Sequence, residues 1–162
     1  MSDYGVPEEL DGVLDWAWAS DRLVRSRNYW VVTASPEARP HAMPVWGVWL
    51  PEPGEFVFSC ADGARKARNL RANPRVTIAP DDTVEVVSVE GTASEIRTSA
   101  RPDFVARFAA KYGTDDPAQG PSEAELTEFL ADSCGFVVRP ERAFGLIERP
   151  DEFGPRATRW VW

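Results

Sequence analysis

Residues 39–60 read RPHAMPVWGVWLPEPGEFVFSC, and this stretch decides the fold. Its two ends are rich in β-branched and aromatic residues, and the turn-forming sequence PEPG stands between them at 51–54. This pattern predicts two strands, over 39–50 and 55–60, joined as a β-hairpin. We therefore expect antiparallel β-structure in this part of the chain.

Two prolines set the character of the first strand of the hairpin. Pro40 and Pro44 share one parity along the strand, and neither can donate a hydrogen bond to a neighbouring strand. The strand is therefore predicted to lie at an edge of its sheet or to be locally open. An open backbone at 43–46 could receive the edge of a planar heteroaromatic ring. The alternative is an ordinary edge strand that prolines protect from aggregation.

Strand and helix signals continue on both sides of the hairpin. Ser122 and Glu125 form a capping box at the start of one helix, and Asp62 is a candidate N-cap for another. Gly91 predicts a bulge or bend within a long strand. The predicted helices cover 7–19, 64–72, 101–112 and a segment after 122, and the predicted strands outside the hairpin cover 29–35, 75–79, 83–97, 135–139, 143–149 and 158–162.

These elements predict the fold class. About seven strands with interspersed helices, and no regular βαβ alternation, favour an antiparallel barrel with helices packed outside it. The chain has 162 residues, which fits a single domain over 1–162. Its apolar fraction of 43% and charged fraction of 27% are typical of globular proteins and exclude a disordered chain.

Charge and cysteine usage exclude several kinds of partner. The net charge of -8 opposes general attraction to nucleic acid or to anionic lipid. No apolar stretch is long enough to span a membrane, and the N-terminus has no signal-peptide pattern. Cys60 and Cys134 fit neither a disulfide framework nor a zinc cluster, and nothing near Cys60 in sequence indicates an activated thiol. We therefore expect a cytoplasmic protein with no metal site, nucleic-acid partner or membrane partner.

The motifs of the common enzyme classes do not occur in the sequence. It contains no Walker sequence, no G-x-G-x-x-G and no G-x-S-x-G. His41, the only histidine, is predicted to be structural or exposed, with a pocket contact as the alternative. Hydrolase, kinase and classical dinucleotide dehydrogenase functions therefore lack their usual evidence.

A basic segment stands out on this acidic chain. Residues 65–75 contain five cations and no acid. Arg65 and Lys66 fall in the first turn of a predicted helix, where a cation near the positive end of the macrodipole costs up to about 1 kcal/mol. A bound phosphate would reverse that cost, because exposed amides and the dipole favour an anion. The alternative is a solvated basic face that nearby acids compensate in the fold.

An ordered series of motifs resembles a known family. The series is R-P-H-A-M-P-V-W-G-V-W from 39, F-V-F-S-C from 56, R-K-A-R-N-L-R-A-N-P-R-V from 65 and V-E-G-T-A from 89. It is similar to the pyridoxamine 5'-phosphate oxidase-like split β-barrels, and most similar to the branch that uses the deazaflavin coenzyme F-420. That branch often ends in T-R-W, which this chain has at 158–160.

The resemblance implies an architecture and a site. The fold would be mainly β with α, an antiparallel Greek-key split β-barrel of the FMN-binding type, and two copies would form a homodimer with a cofactor in each of two interface grooves. Arg65 departs from the family, which often has a small hydroxyl residue there, and 161–162 replace the usual basic-aromatic ending. The implied cofactor-binding residues are Met43, Pro44, Val45 and Trp46 along the ring, Ser59 at the end of the adjacent strand, Arg65, Lys66 and Asn69 at the phosphate and sugar-alcohol tail, and Arg159 and Trp160, from either subunit, closing the site.

The resemblance also implies a function. It predicts an oxidoreductase that transfers a hydride between reduced coenzyme F-420 and an electron-poor, conjugated small organic substrate. The cofactor would supply the chemistry, which agrees with the lack of an evident acid-base pair. Solvent, His41 or Tyr29 could provide a proton, and no catalytic residue is assigned. Two alternatives remain: an FMN-dependent oxidoreductase of the same fold, and a non-catalytic protein that binds flavin, deazaflavin or haem.

Overall fold

The computed structural model describes residues 13–131 and 133–162. In these ranges the chain forms seven strands and five α-helices, with a 3-10 turn at Thr98–Ala100. The strands are β1 (Asn28–Ala34), β2 (Pro40–Leu50), β3 (Glu55–Ser59), β4 (Arg75–Pro80), β5 (Glu85–Arg97), β6 (Cys134–Ile147) and β7 (Thr158–Val161). The helices are α1 (Trp16–Arg25), α2 (Arg65–Ala72), α3 (Pro102–Tyr112), α4 (Glu123–Leu130) and α5 (Phe153–Arg156).

The strands form one antiparallel sheet that closes into a barrel. Their order is β3-β2-β1-β4-β5-β6-β7, and a further pairing between β3 and β6 closes the first six strands. β7 is an additional strand beside the second half of β6. The predicted antiparallel barrel with helices packed outside it is therefore confirmed.

The first half of β2 is a sheet edge. Residues 40–46 pair with β1 and residues 47–50 pair with β3, so one side of 40–46 is covered by no strand in the described part of the chain. Pro40 and Pro44 lie in this half, opposite Ala34 and Trp30 of β1. The edge predicted from the two prolines is confirmed, and it leaves backbone accessible beside 43–46.

The first helix differs from its prediction. Residues 7–12 of the predicted helix at 7–19 lie outside the described residues, and α1 begins only at Trp16 and continues to Arg25. Asp15 is its N-cap and accepts a hydrogen bond from the Trp18 backbone N–H at 2.7 Å. An aspartate at the N-cap satisfies a backbone donor that has no partner within the helix, which explains this starting point.

The start of α2 also differs from its prediction. Asp62 is not the N-cap; that position is held by Ala64, whose side chain cannot cap the helix. The Asp62 carboxylate instead pairs with the Arg71 guanidinium at 2.6 Å. An ion pair with a residue at the far end of the helix has therefore replaced the expected local hydrogen bond.

The strands predicted at 135–139 and 143–149 are one continuous strand, β6. Pro140 interrupts the strand signal in the sequence, but it lies opposite Gly91, where the register of the β5–β6 pairing shifts. A Cβ on Gly91 would lie 2.1 Å from the Arg139 carbonyl oxygen, so only glycine allows this approach. The predicted irregularity at Gly91 is confirmed, and the division of β6 into two strands is wrong.

Two apolar clusters hold the helices against the barrel. Alternate residues of β3 face opposite sides, so Phe56 and Phe58 belong to a cluster that includes residues of α1 and α2, whereas Val57 belongs to a cluster with α3 and α4. The first cluster holds α2 against β1 and β5, and the second places α3 beside β2 with α4 packed on α3. No helix in the described ranges is long and apolar enough to cross a membrane.

Candidate functional site

The N-terminal turn of α2 carries two cations, Arg65 and Lys66. Its N-cap, Ala64, makes no side-chain hydrogen bond to the helix, so the first backbone N–H groups receive no capping bond from that residue. Within 13–131 and 133–162, neither Arg65 nor Lys66 forms an ion pair. A bound anion would satisfy both the free amides and these charges.

Of the other three cations of the basic segment, two are compensated by acids, and the third, Arg68, donates to the Gly63 carbonyl. Arg71 bonds to the carboxylates of Asp62 and Glu95, each at 2.6 Å, and Arg75 pairs with Glu141. Nearby acids therefore compensate the positive charges at the far end of α2 and at the start of β4. Among the described contacts, no acid pairs with Arg65 or Lys66. This difference between the two ends of the basic segment distinguishes a phosphate site from a solvated basic face that acids compensate.

A cleft of about 360 Å³ lies between α2 and the β1–β2 turn. Partial desolvation, with the positive charges of Arg65 and Lys66, lowers the pKa of His41, so this histidine is neutral at pH 7. The Glu37 carboxylate accepts a hydrogen bond from the Ser35 hydroxyl at 2.8 Å. The cleft therefore has a positive balance of charge that suits an anionic group. It is lined by Ser35, Glu37, Arg39, Pro40, His41, Arg65, Arg68 and Asn69.

Asn69, which the family resemblance implies at the cofactor tail, is buried. Its side-chain amide donates to the Thr33 hydroxyl at 3.0 Å, and that hydroxyl donates to the His41 carbonyl at 3.4 Å. Asn69 thus links α2 to β1 and, through Thr33, to β2. In this structure it holds the helix beside the cleft.

The residues implied to line the cofactor ring lie in two different environments. Met43 is 44% exposed and Pro44 is exposed, both along the open edge of β2. The Val45 side chain is 8% exposed and belongs to the apolar cluster that includes Tyr29. Val45 can therefore offer its backbone to a ligand at this edge but not its side chain.

Trp46 faces α3 and α4. Its ring stacks on Tyr112 with centroids 4.5 Å apart and lies 6.1 Å from the Phe108 ring. A mainly apolar cavity of about 450 Å³ opens beside it. Phe129, at one wall, is 65% exposed. The cavity is lined by Trp46, Phe108, Pro121, Glu125, Leu126 and Phe129.

Sequence reasoning did not identify this cavity. Its walls come from β2, α3, α4 and the loop before α4, and no local motif shows that these segments meet. The signal that the sequence offered was Trp46, which belongs to the segment implied to line the cofactor ring.

The three remaining residues implied by the resemblance lie away from the cleft. The Ser59 hydroxyl donates to the Cys134 carbonyl at 3.2 Å, at the end of β3. Trp160 of β7 packs edge-on against Trp16 of α1, with ring centroids 5.4 Å apart, and Arg159 is exposed opposite Phe144. Because β3 pairs with both β2 and β6, only β3 and β6 stand between β2 and β7, and in the described strand pairings neither Arg159 nor Trp160 is opposite a residue of the ring-lining segment.

Tyr29 does not suit the role of a proton donor. It is fully buried, its hydroxyl donates to the Leu23 carbonyl, and burial raises its pKa far above the usual range. The Lys111 ammonium donates to the Tyr29 hydroxyl and to the Gly47 carbonyl, each at 2.9 Å. Burial lowers the pKa of Lys111 to about 8. Of the two candidate proton donors, Tyr29 and His41, it is His41 that lines the cleft beside α2.

The barrel is the fold of a known protein family. The family model for pyridoxamine 5'-phosphate oxidase matches residues 19–141, which is most of the chain. The chain therefore belongs to the pyridoxamine 5'-phosphate oxidase family.

Solved structures share the fold at low sequence identity. The conserved hypothetical protein Rv2991 from Mycobacterium tuberculosis is 22% identical with a TM-score of 0.66, over 89% of this chain and 91% of that chain. An F420 reductase is 23% identical with a TM-score of 0.56, over 76% of this chain and 94% of that chain. HutZ, a haem storage protein from Vibrio cholerae, is 16% identical with a TM-score of 0.59, over 90% of this chain and 93% of that chain. No curated protein matches the chain.

Proposed function

We propose that the protein is an oxidoreductase that uses coenzyme F-420 to reduce an electron-poor, conjugated small molecule. The observation that carries the proposal is the pair of cations at the uncapped start of α2, Arg65 and Lys66, which form no ion pair in the described part of the chain. This turn borders a cleft that also reaches Pro40 and His41 on the open edge of β2. An anion site beside an accessible strand edge is the arrangement that a cofactor with a planar ring and an anionic tail requires.

The residues present fit such a cofactor. Arg65, Lys66 and the first amides of α2 would hold the anionic tail, and the backbone of 43–46 with the Met43 side chain would lie along the ring. When bound, the deazaflavin supplies hydride transfer. The protein's part is to bind, orient and exclude water from the ring. The apolar cavity beside Trp46 would receive a flat, uncharged substrate, because its one ionisable wall residue, Glu125, accepts hydrogen bonds from Ser122.

The proposal includes a homodimer. Trp30 is 44% exposed and Trp46 is 38% exposed, and the alternation of side chains along β1 and β2 places both on the same side of the sheet as Pro44, which lies opposite Trp30. Large apolar side chains grouped on one face are typical of a surface that a second subunit covers. A partner subunit would also supply Arg159 and Trp160 to the site, because neither residue lines the cleft beside α2 in one chain.

Three cofactors need to be distinguished. The series of motifs and the T-R-W sequence at 158–160 favour the deazaflavin. Proteins of the same fold include an F420 reductase and a haem storage protein, so the test must contain haem as well as FMN.

The experiment is a parallel titration of purified protein with oxidised coenzyme F-420, FMN and hemin, followed by fluorescence and absorbance at fixed salt. Saturable binding of the deazaflavin, with weaker binding of FMN and hemin, is expected. Reduced coenzyme F-420 should then be oxidised by quinone or nitroaromatic acceptors only when the protein is present. Preferential binding of FMN or hemin would overturn the cofactor assignment. Tight deazaflavin binding without turnover across the acceptors would overturn the enzymatic assignment and leave a binding protein.

A further inference from the structure

The two cysteines lie opposite each other on neighbouring strands. The antiparallel register of β3 and β6 pairs Ser59 with Gly135, so the next residue, Cys60, lies opposite Cys134. The Cys60 backbone N–H donates to the Cys134 carbonyl at 3.2 Å, which extends the pairing by that one residue. Directly opposed residues of an antiparallel pair have Cα atoms about 4.5–5.5 Å apart, within the range that a disulfide bridges.

Both thiols occupy the same side of the sheet. Cys134 is buried in the apolar cluster that includes Phe58, and Cys60 is partly buried against that cluster. Burial, with smaller contributions from Glu95 and the Cys60 thiol, raises the pKa of Cys134 to about 11. An electrostatic effect of one thiol on the other is consistent with their closeness. Both thiols are protonated at neutral pH, because burial also raises the pKa of Cys60.

A metal ion is a weaker candidate for this place. Ligand atoms of Asp62, Glu95 and Cys134 lie within 4.8 Å of one another. The Arg71 guanidinium already bonds to both carboxylates and lies 3.6 Å from the Cys134 sulfur. Arg71 therefore supplies the positive charge that a cation would bring, and the chemistry left at this position is that of two neighbouring thiols.

We propose that Cys60 and Cys134 are a site of reversible oxidation, at which hydroperoxides convert the two thiols into a disulfide between the end of β3 and the start of β6. The inference does not depend on the proposed cofactor. Sequence spacing does not indicate it, since the two residues are far apart in the chain and only the barrel register opposes them.

The reaction balances with one peroxide for each disulfide. Cys60 is the more accessible thiol, and its thiolate attacks a peroxide oxygen to give a sulfenic acid while the O–O bond breaks and the first water or alcohol leaves. The Cys134 sulfur then attacks the Cys60 sulfur, and the hydroxyl group leaves as water. The two thiols lose two electrons and two protons, and the peroxide is reduced. Because both thiols are mainly protonated, the reaction should be slow at neutral pH, and a thiol reductant reverses it.

The disulfide would affect the segment that leads into α2. Cys60 is the first residue after β3, and Asp62 in the same segment is tied to Arg71. A covalent bond at Cys60 anchors the start of this segment to β6. We therefore expect backbone amides in 61–64 to exchange with solvent more slowly in the oxidised protein than in the reduced protein. Equal exchange rates in the two forms would overturn this part of the inference.

The main test uses the full chain, reduced and then freed of reductant. Protein is treated with hydrogen peroxide, alkylated under denaturing conditions and measured by mass spectrometry. We expect the loss of two hydrogens, no alkylation, and a digest fragment that joins Cys60 to Cys134. Dithiothreitol should restore two alkylated thiols. Two free thiols after treatment that oxidises glutathione, separate sulfinic acids, or a disulfide between two chains would overturn the proposal.

Matched variants provide the control. In Cys60→Ser, the buried Cys134 should remain alkylatable after a treatment that oxidises wild type completely. Cys134→Ala gives the reciprocal test at Cys60, where a sulfenic acid that reacts with dimedone is expected. Mapping of the wild-type disulfide needs neither variant to fold, so the proposal remains testable if one of them does not.

Discussion

The side-chain amide of Asn69 donates a hydrogen bond to the Thr33 hydroxyl at 3.0 Å, and both residues are buried. This contact joins α2 to β1, and the Thr33 hydroxyl continues to the His41 carbonyl on β2. The start of α2 is therefore held at a defined position beside the open edge of β2. The anion site that we propose depends on that position.

Removal of either partner should destabilise the fold. Thr33→Val leaves the buried Asn69 amide without its acceptor, and Asn69→Ala removes the donor to the Thr33 hydroxyl, so each should lower the free energy of unfolding by about 1–3 kcal/mol. Urea denaturation at pH 7 measures this change. Because the two residues share one hydrogen bond, the double variant should lose less than the sum of the single losses. Strict additivity would show that the contact does not couple them.

Lys66→Ala should weaken cofactor binding without harming the fold. A charge-assisted hydrogen bond contributes roughly 1.5–3 kcal/mol, so the dissociation constant for coenzyme F-420 should rise about ten- to a hundred-fold. The free energy of unfolding should be unchanged or slightly higher, because an unfavourable first-turn cation is gone. Fluorescence titration at fixed salt measures the affinity.

Arg71→Ala is the matched control on the same helix. It leaves Asp62 and Glu95 without their partner, so stability should fall while cofactor affinity changes much less. Equal affinities for wild type and Lys66→Ala would leave the solvated basic face as the explanation of this helix.

Lys111 should make stability depend on pH. Burial lowers its folded-state pKa to about 8, below the ordinary value of 10.5, so the unfolded chain binds more protons between these values. Stability from this group therefore rises as pH increases through that window. Between pH 7 and pH 9.5, the free energy of unfolding of wild type should rise by on the order of 1–3 kcal/mol relative to that of Lys111→Met. Urea denaturation at both pH values measures this difference. A difference between the two proteins that does not change with pH would contradict this assignment.

Gly91→Ala should destabilise the barrel where β5 and β6 change register. The added Cβ would lie 2.1 Å from the Arg139 carbonyl oxygen, a backbone atom that cannot rotate away. We expect a loss of about 1–3 kcal/mol, measured by thermal or urea unfolding. Gly63→Ala is the control, because a Cβ at that position meets nothing within 4 Å and stability should hardly change. Similar losses in both variants would contradict the steric argument.

Trp30→Glu should dissociate the proposed homodimer. A charge on this exposed apolar face opposes burial against a second subunit, so light scattering should change from twice the chain mass to the mass of one chain. Cofactor affinity should fall with dimer content. Val24→Glu, at an α1 residue of similar exposure, should stay dimeric. A wild-type protein that is a monomer with full cofactor affinity would refute the interface.

Local signals in the sequence determined most of the elements. The capping box at Ser122 and Glu125 forms as predicted, the strand-forming runs around 29–60 become β1, β2 and β3, and Gly91 marks the register shift. Each of these features depends on side chains within a few residues of one another or on a constraint carried by a single residue. Such features can therefore be inferred without knowing which distant segments meet.

Only the tertiary structure decided the partners of these elements. Asp62 bonds to Arg71 instead of capping α2, β6 runs through Pro140 because Gly91 faces it, and Cys60 meets Cys134 across the barrel closure. The same is true of the cavity beside Trp46, whose walls come from separate segments. The physical reason is that closure of the barrel sets the register between strands far apart in the chain, and that register alone determines which side chains share a face.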